Sequence, residues 1–242
     1  MEYALNNKVF VLFMAAACGV TFVACDVFTS MNRIKDMVLN EEQILNKIKA
    51  AAPQLLGNEQ HAMYNFYKQR LEEIHRRNWT KELERLNHPN GAYSIIKEYA
   101  ADYQALRKAV LDSKLNQASA VLAEIADDDD VKGASESLLR LQEVFRMKTN
   151  EMVQGMYLNY KGPILNSTDA FLVGKAAFEI GKQTLCTEWL QVALELMRQE
   201  QGDGDDYNDD FSMFGKVDTK THNSGAAMKA LLGRALIRVS PL

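Results

Sequence analysis

Between Met31 and Leu55 the apolar residues fall at alternating spacings of three and four: Met31, Ile34, Val38, Leu45, Ile48, Ala52 and Leu55. Only Glu41 interrupts the series, at the one polar seam position. Side chains at these spacings share one face of an α-helix, and the narrow stripe reads as a coiled-coil seam. A cap at Thr29 or Ser30 opens the helix, and Pro53 kinks or ends it near Ala52 because proline removes a backbone donor.

The pattern repeats downstream. After a Gly57-Asn58 break, residues 59–86 carry an apolar face of Met63, Phe66/Tyr67, Leu71, Ile74 and Leu83. Arg76, Arg77 and the surrounding Lys and Arg alternate with Glu, which reads as a solvated helix face. His88-Pro89-Asn90-Gly91 reads as a turn, with the proline and the glycine each ending helical continuity. Helices are expected over residues 92–111 and 115–126, and the whole is an all-α chain with only four prolines. Two long antiparallel helices followed by shorter ones suit a bundle or a dimerising coiled coil. The net charge of −4 and the lack of a basic stretch exclude nucleic acid as a partner.

Residues 9–24 form an apolar run preceded by Lys8, and Val23-Ala24-Cys25 offers small residues before Asp26. That is the pattern of a secretory signal peptide over residues 1–25, and the run is shorter than the ~20 residues of a membrane span. Removal of the signal leaves no membrane segment and takes Cys18 and Cys25 with it. Cys186 then stands alone, at a helical position that suits core packing, so the chain is not a disulfide scaffold. Asn78-Trp79-Thr80 and Asn166-Ser167-Thr168 are glycosylation sequons, which makes Asn78 and Asn166 candidate acceptors if the chain enters the lumen.

Asp127 to Asp130 is a run of four carboxylates. Adjacent side chains diverge, so the run is a poor metal site and reads as a solvated loop that places negative charge before the next helix. That helix is expected over residues 133–147, with Leu138, Leu141 and Phe145 as its stripe. From Thr168-Asp169, a candidate cap, the small positions Gly174, Gly181, Cys186 and Ala193 alternate with large ones such as Leu190. This is the small/large pattern of one tetratricopeptide-like helix-turn-helix repeat, in which Gly181 ends the first helix. A lone repeat needs a neighbour. Downstream come an acidic, Gly-containing loop and a short helical tail over residues 226–239, with no second repeat. Phe178 and Trp189 fall at spacings that suit core packing.

Phe28-Thr29-Ser30, the His88-Pro89 turn, GASESLLRLQEVF at residues 133–145 and GKAAFEIG with TEWLQVAL between residues 174 and 194 occur in an order that resembles the collagen prolyl 4-hydroxylase α-subunit family. The resemblance spans residues 27–200. It implies an endoplasmic-reticulum lumenal protein with a helical dimerisation region over residues 26–132. It also implies an incomplete peptide-binding-type repeat over residues 133–200, followed by an acidic loop and divergent tail over residues 201–242. Implied partners are a second copy or a full-length α subunit, a Pro-rich or collagen-like peptide, and protein disulfide isomerase.

The family's full enzyme is a procollagen-proline dioxygenase that uses Fe(II), 2-oxoglutarate and ascorbate. Its iron is bound by a His-x-Asp pair and a distant His. The four histidines here, His61, His75, His88 and His222, include no His-x-Asp or His-x-Glu. No catalytic, cofactor-binding or metal-ligating residue is therefore assigned, and the chain is expected not to act alone as an enzyme. Three readings follow: a non-catalytic dimer partner, a lumenal helical binding module for Pro-rich or collagen-like chains, and a cytosolic helical adaptor.

Overall fold

A computed structural model describes residues 24–51, 58–112, 116–158, 160–202 and 225–239. Nearly all of them are helical, so the chain is all-α. It divides into two compact units, one ending at Val131 and one beginning at Lys132. Most of the apolar run at residues 9–24, and with it the signal peptide, lies outside the described residues, as do Pro53 and the acidic loop. No helix among the described residues is long and apolar enough to cross a membrane.

In the first unit α1 (Ala24–Ala51) packs on α2 (Asn58–Arg76), and further on α6 (Asn116–Leu122) and α4 (Pro89–Asp102). The buried face of α1 contains Ile34, Val38, Leu45 and Ile48, as its spacing predicts. Met37 and Ile44 are buried too, which widens the stripe beyond a two-position seam. The width has a physical cause: α1 meets helices within its own chain on more than one side.

The helix expected over residues 59–86 is broken. It ends at Arg76 and restarts as α3 (Trp79–Leu86), because Asn78 adopts extended backbone and its side chain accepts from the Lys81 N–H at 3.2 Å. An asparagine that caps a new helix in this way satisfies one of its orphan donors.

Helical continuity breaks at Asn87-His88, as expected, but Pro89, Asn90 and Gly91 already belong to the next helix. His88 is the N-cap of α4, its Nδ1 accepting from the Asn90 N–H, and Pro89 occupies the first helical turn. Gly91 lies within α4 because a Cβ there would sit 2.0 Å from the Arg85 carbonyl oxygen of α3. Its small size permits the close crossing.

The helix expected over residues 92–111 divides at Tyr103 into α4 and α5 (Gln104–Asp112). The backbone bonds Tyr103 N–H to Tyr99 O and Arg107 N–H to Tyr103 O carry the helical pattern through the junction. Tyr93, Ile95, Ile96, Tyr99, Leu106 and Val110 supply buried surface from this pair. The segment after α6 is held by arginines. Arg107 Nη2 donates to the carbonyls of Leu122, Ile125 and Ala126, and Arg33 Nη2 donates to that of Ala123 at 2.7 Å. Carbonyls left without intrahelical partners at a helix end are satisfied in this way.

The aspartate run is helical from its second residue, α7 being Asp128–Phe145. Asp127 Oδ1 accepts from the N–H groups of Asp129 and Asp130, while Asp130 Oδ2 accepts from the Asp127 N–H. Asp127 and Asp130 therefore cap the helix, and the run as a whole charges the positive end of its macrodipole instead of forming a loop.

In the second unit α7 is followed by α8 (Thr149–Val153) and a small antiparallel hairpin of β1 (Met156–Tyr157) and β2 (Tyr160–Lys161). Then come α9 (Ser167–Glu179), α10 (Gln183–Gly202) and α11 (Gly225–Val239). The α9–α10 hairpin is the best-packed pair of the unit, and α11 lies chiefly along α10 with Met228 and Ala235 fully buried.

Candidate functional site

The polar interruption of the α1 seam is the centre of the first unit. Glu41 is fully buried, and both its oxygens are fully engaged. Oε1 accepts from Arg70 Nε at 2.5 Å and from the Tyr103 hydroxyl at 2.9 Å. Oε2 accepts from Arg77 Nη1 at 2.7 Å and from the Tyr99 hydroxyl at 2.5 Å. A carboxylate has about four lone-pair sites, and here every one has a donor. Arg70 also reaches Asp102 at 2.7 Å and Glu73 at 2.9 Å, and its guanidinium lies over the rings of Tyr99 and Tyr103. Tyr99 and Tyr103 stack at 6.1 Å, and Phe66 meets Tyr103 edge-on at 5.2 Å.

Burial by itself would push the Glu41 carboxyl up, because it disfavours the charged form. Arg70, Arg77 and the hydrogen bonds from Tyr99 and Arg70 outweigh it and hold Glu41 below the ordinary glutamate range. Tyr99 and Tyr103 are pushed far up by burial and by the Glu41 charge, so both remain hydroxyl donors. Burial raises Asp102, and Arg70 only partly offsets it. The cluster joins α1, α2, the α2–α3 junction and the α4–α5 junction through a single carboxylate. The acceptor sites of Glu41 are all filled, which makes the cluster a structural centre of the unit.

This corrects one expectation. Arg76 is exposed and pairs with Glu72 on its own helix, but Arg77 is drawn inward to Glu41 and Tyr99 and is not part of a solvated face. Arg70, Arg77, Tyr99 and Tyr103 were not singled out from sequence as a group. The available signal was Glu41 itself, since a carboxylate in an apolar stripe requires buried cations.

The second unit brings the small positions of the repeat together. At Gly174 an added Cβ would lie 3.0 Å from Leu190 Cδ2 and 3.2 Å from Trp189 Cβ, so the glycine sets the α9–α10 spacing. Gly181 ends α9 at φ +78°, with its N–H bonded to Phe178 O and the Lys182 N–H bonded to Ala177 O, which is a Schellman cap. Cys186 and Ala193 are fully buried on α10. Cys186 is a free cysteine, and burial pushes its thiol up to about 11.

Trp189 is fully buried, and its Nε1 donates to Gln142 Oε1 at 2.7 Å. Gln142 in turn donates to the Thr149 hydroxyl at 2.8 Å, which donates to Glu188 at 2.8 Å. Trp189 is thus a core residue tied to a polar chain, and Phe178 is half-buried. The cap of α9 is Asn166, two residues before the expected Thr168-Asp169. Its Oδ1 accepts from the Asp169 N–H at 2.9 Å, and Asp169 Oδ2 accepts from the Asn166 N–H at 3.0 Å. Both sequon asparagines, Asn78 and Asn166, are therefore exposed helix N-caps. Among the described residues no three His, Cys, Asp or Glu side chains converge as metal ligands.

A bundle closed around a buried ion cluster, followed by a packed helix-turn-helix, defines a helical scaffold region. The chain belongs to the prolyl 4-hydroxylase α-subunit family: residues 30–159 match the family described as Prolyl 4-Hydroxylase alpha-subunit, N-terminal region. Prolyl 4-hydroxylase subunit alpha-1 of Rattus norvegicus is 24% identical over 232 residues, which cover 88% of this chain and 40% of that protein. Subunit alpha-2 of Caenorhabditis elegans is 25% identical over 189 residues, covering 72% of this chain and 34% of that protein. Subunit alpha-3 of Bos taurus is 24% identical over 135 residues, covering 49% and 25% respectively. The chain thus spans well under half the length of these relatives.

Proposed function

We propose that this chain has a non-catalytic, lumenal dimerisation and interaction role in collagen-type proline hydroxylation, with the first unit as the self-associating part. The observation that carries the reading is the match of residues 30–159 to the N-terminal region of the α subunits. That match takes in α1, whose seam is covered by helices of its own chain, so pairing would use another face of the unit. In this reading the chain resides in the endoplasmic reticulum lumen and pairs with a second copy or with a full-length α subunit. Protein disulfide isomerase is a further partner under the same reading, and the Fe(II), 2-oxoglutarate and ascorbate chemistry would be supplied by a full-length α subunit.

Co-purification tests it. A tagged chain expressed through the secretory pathway should sediment as a dimer or bring down a full-length α subunit. A monomer that captures neither overturns the dimerisation role.

A second reading, a lumenal module for Pro-rich or collagen-like peptides, is favoured by one feature of the second unit. Met156, Leu158, Tyr160 and Ile164 are exposed on and beside the hairpin, at 39%, 56%, 55% and 59%. Exposed aromatic and aliphatic groups of this kind stack on polyproline-II segments. Calorimetric titration with a (Pro-Pro-Gly) repeat peptide should give a binding isotherm that Tyr160→Ala weakens. A flat isotherm with the wild-type chain removes this reading.

A further inference from the structure

We infer that Asn78 and Asn166 are N-glycan acceptors whose helix-capping hydrogen bonds are retained when the sugar is attached. The inference rests on the lumenal reading above.

The two sequons occupy equivalent structural positions. Each asparagine is exposed and has extended backbone, and each immediately precedes a helix, α3 for Asn78 and α9 for Asn166. In both, the side chain caps through Oδ1, to the Lys81 N–H and to the Asp169 N–H. Neither Nδ2 makes a hydrogen bond to any described residue. Oligosaccharide transfer uses the other atom of the amide. Nδ2 bonds to the anomeric C1 of a polyprenyl-diphosphate-linked sugar, and the C1–O bond breaks. The diphosphate leaves with the bonding electrons, and one Nδ2 proton passes to a base. Oδ1 emerges unchanged as an acceptor, so the N-cap persists in the glycoprotein.

The consequence reaches the surface of each unit. Arg77, next to Asn78, points inward to Glu41 and Tyr99, and Ser167, next to Asn166, is buried against Glu200. Each asparagine thus faces outward beside a neighbour that faces inward. A glycan at Asn78 or Asn166 keeps that position in solvent, so any self-association surface lies elsewhere on its unit.

The test expresses the full chain through the secretory pathway with a C-terminal tag bearing an independent acceptor sequon, alongside Asn78→Asp and Asn166→Asp. Aspartate keeps the capping oxygen but accepts no glycan. The expected result is a mobility shift of three glycans, removed by an endoglycosidase, with each variant losing one. If the tag sequon is occupied but Asn78→Asp or Asn166→Asp leaves the shift unchanged, the assignment of that residue is overturned. If the tag sequon is also bare, the lumenal reading itself fails, and this inference falls with it. Retention of the cap is read separately, from urea midpoints. Glycosylated wild type should unfold at or above the midpoint of Asn78→Asp, whereas Asn78→Gln, which loses cap and glycan, unfolds earlier. A glycosylated wild type that unfolds as early as Asn78→Gln overturns cap retention.

Discussion

Glu41 shows how one residue can reverse the reading of its surroundings. A carboxylate with no water contact is unfavourable by several kcal/mol unless it is paired and hydrogen-bonded, and here two arginines and two tyrosines meet that condition. Glu41→Gln keeps the shape but leaves Arg70 and Arg77 without their shared counter-ion. It is expected to destabilise the first unit by about 3–5 kcal/mol, the range for breaking a buried pair from one side, read from urea unfolding at neutral pH. A loss below about 1 kcal/mol would show that water reaches the cluster. Cys186 makes a second residue-scale case. It is fully buried, and its thiol is pushed up to about 11, so little thiolate forms near neutral pH. Iodoacetamide should leave Cys186 unmodified in the native chain at pH 7.5 and alkylate it only in denaturant, as read by peptide mass spectrometry.

At the level of elements, caps and small residues set where helices begin and how closely they approach. A methyl group at Gly174 would lie 3.0 Å from Leu190 and 3.2 Å from Trp189, closer than ordinary van der Waals contact. Gly174→Ala must displace Leu190, and overpacking of this kind costs about 1–3 kcal/mol. Differential scanning calorimetry should therefore give a lower transition for the variant than for Gly133→Ala, where nothing lies near the added Cβ. At the α2–α3 junction, Asn78→Gln removes the side chain that bonds the Lys81 N–H, a change worth about 1 kcal/mol, whereas Asn78→Asp retains it. Urea midpoints of the two variants, both made without glycan in a bacterial host, should separate accordingly. Equal midpoints would mean that the break between α2 and α3 does not depend on the cap. The helix expected over residues 59–86 was right in face but wrong in continuity. Periodicity records which residues turn inward, and it does not register a cap in the middle of a periodic run.

For the molecule as a whole, the cluster makes stability a function of pH. Glu41 is held below the ordinary glutamate value of 4.5 in the folded chain. Its contribution is therefore full above that value and is lost as pH falls through the lower native value. Asp102 is raised by burial and acts in the opposite sense, favouring the folded state at low pH. Wild type should lose stability steadily as pH is lowered below 4.5, Glu41→Gln should show a flatter profile, and Asp102→Asn a steeper one. Chemical denaturation across the acid range checks all three, and a Glu41→Gln profile parallel to wild type would assign the acid loss to other groups.

What the sequence determined by itself was everything that depends on local periodicity and on residue type. The all-α class, the inward face of α1 and the small positions of the α9–α10 hairpin follow from spacing, because a helix places every third and fourth residue on one side whatever it packs against; the family resemblance rests on the order of its motifs. What only the tertiary structure decided was which polar residues belong to the core. Arg77 is adjacent to Arg76 and chemically identical to it, yet one is in water and the other on Glu41. His88-Pro89-Asn90-Gly91 carries turn residues, yet begins a helix, since His88 caps it and Gly91 lets it pass against Arg85. The second rests on neighbours two and six residues away, but the first rests on charges tens of residues apart in the chain, as also with Glu41 and Tyr103, and only the folded packing brings such groups within hydrogen-bonding distance.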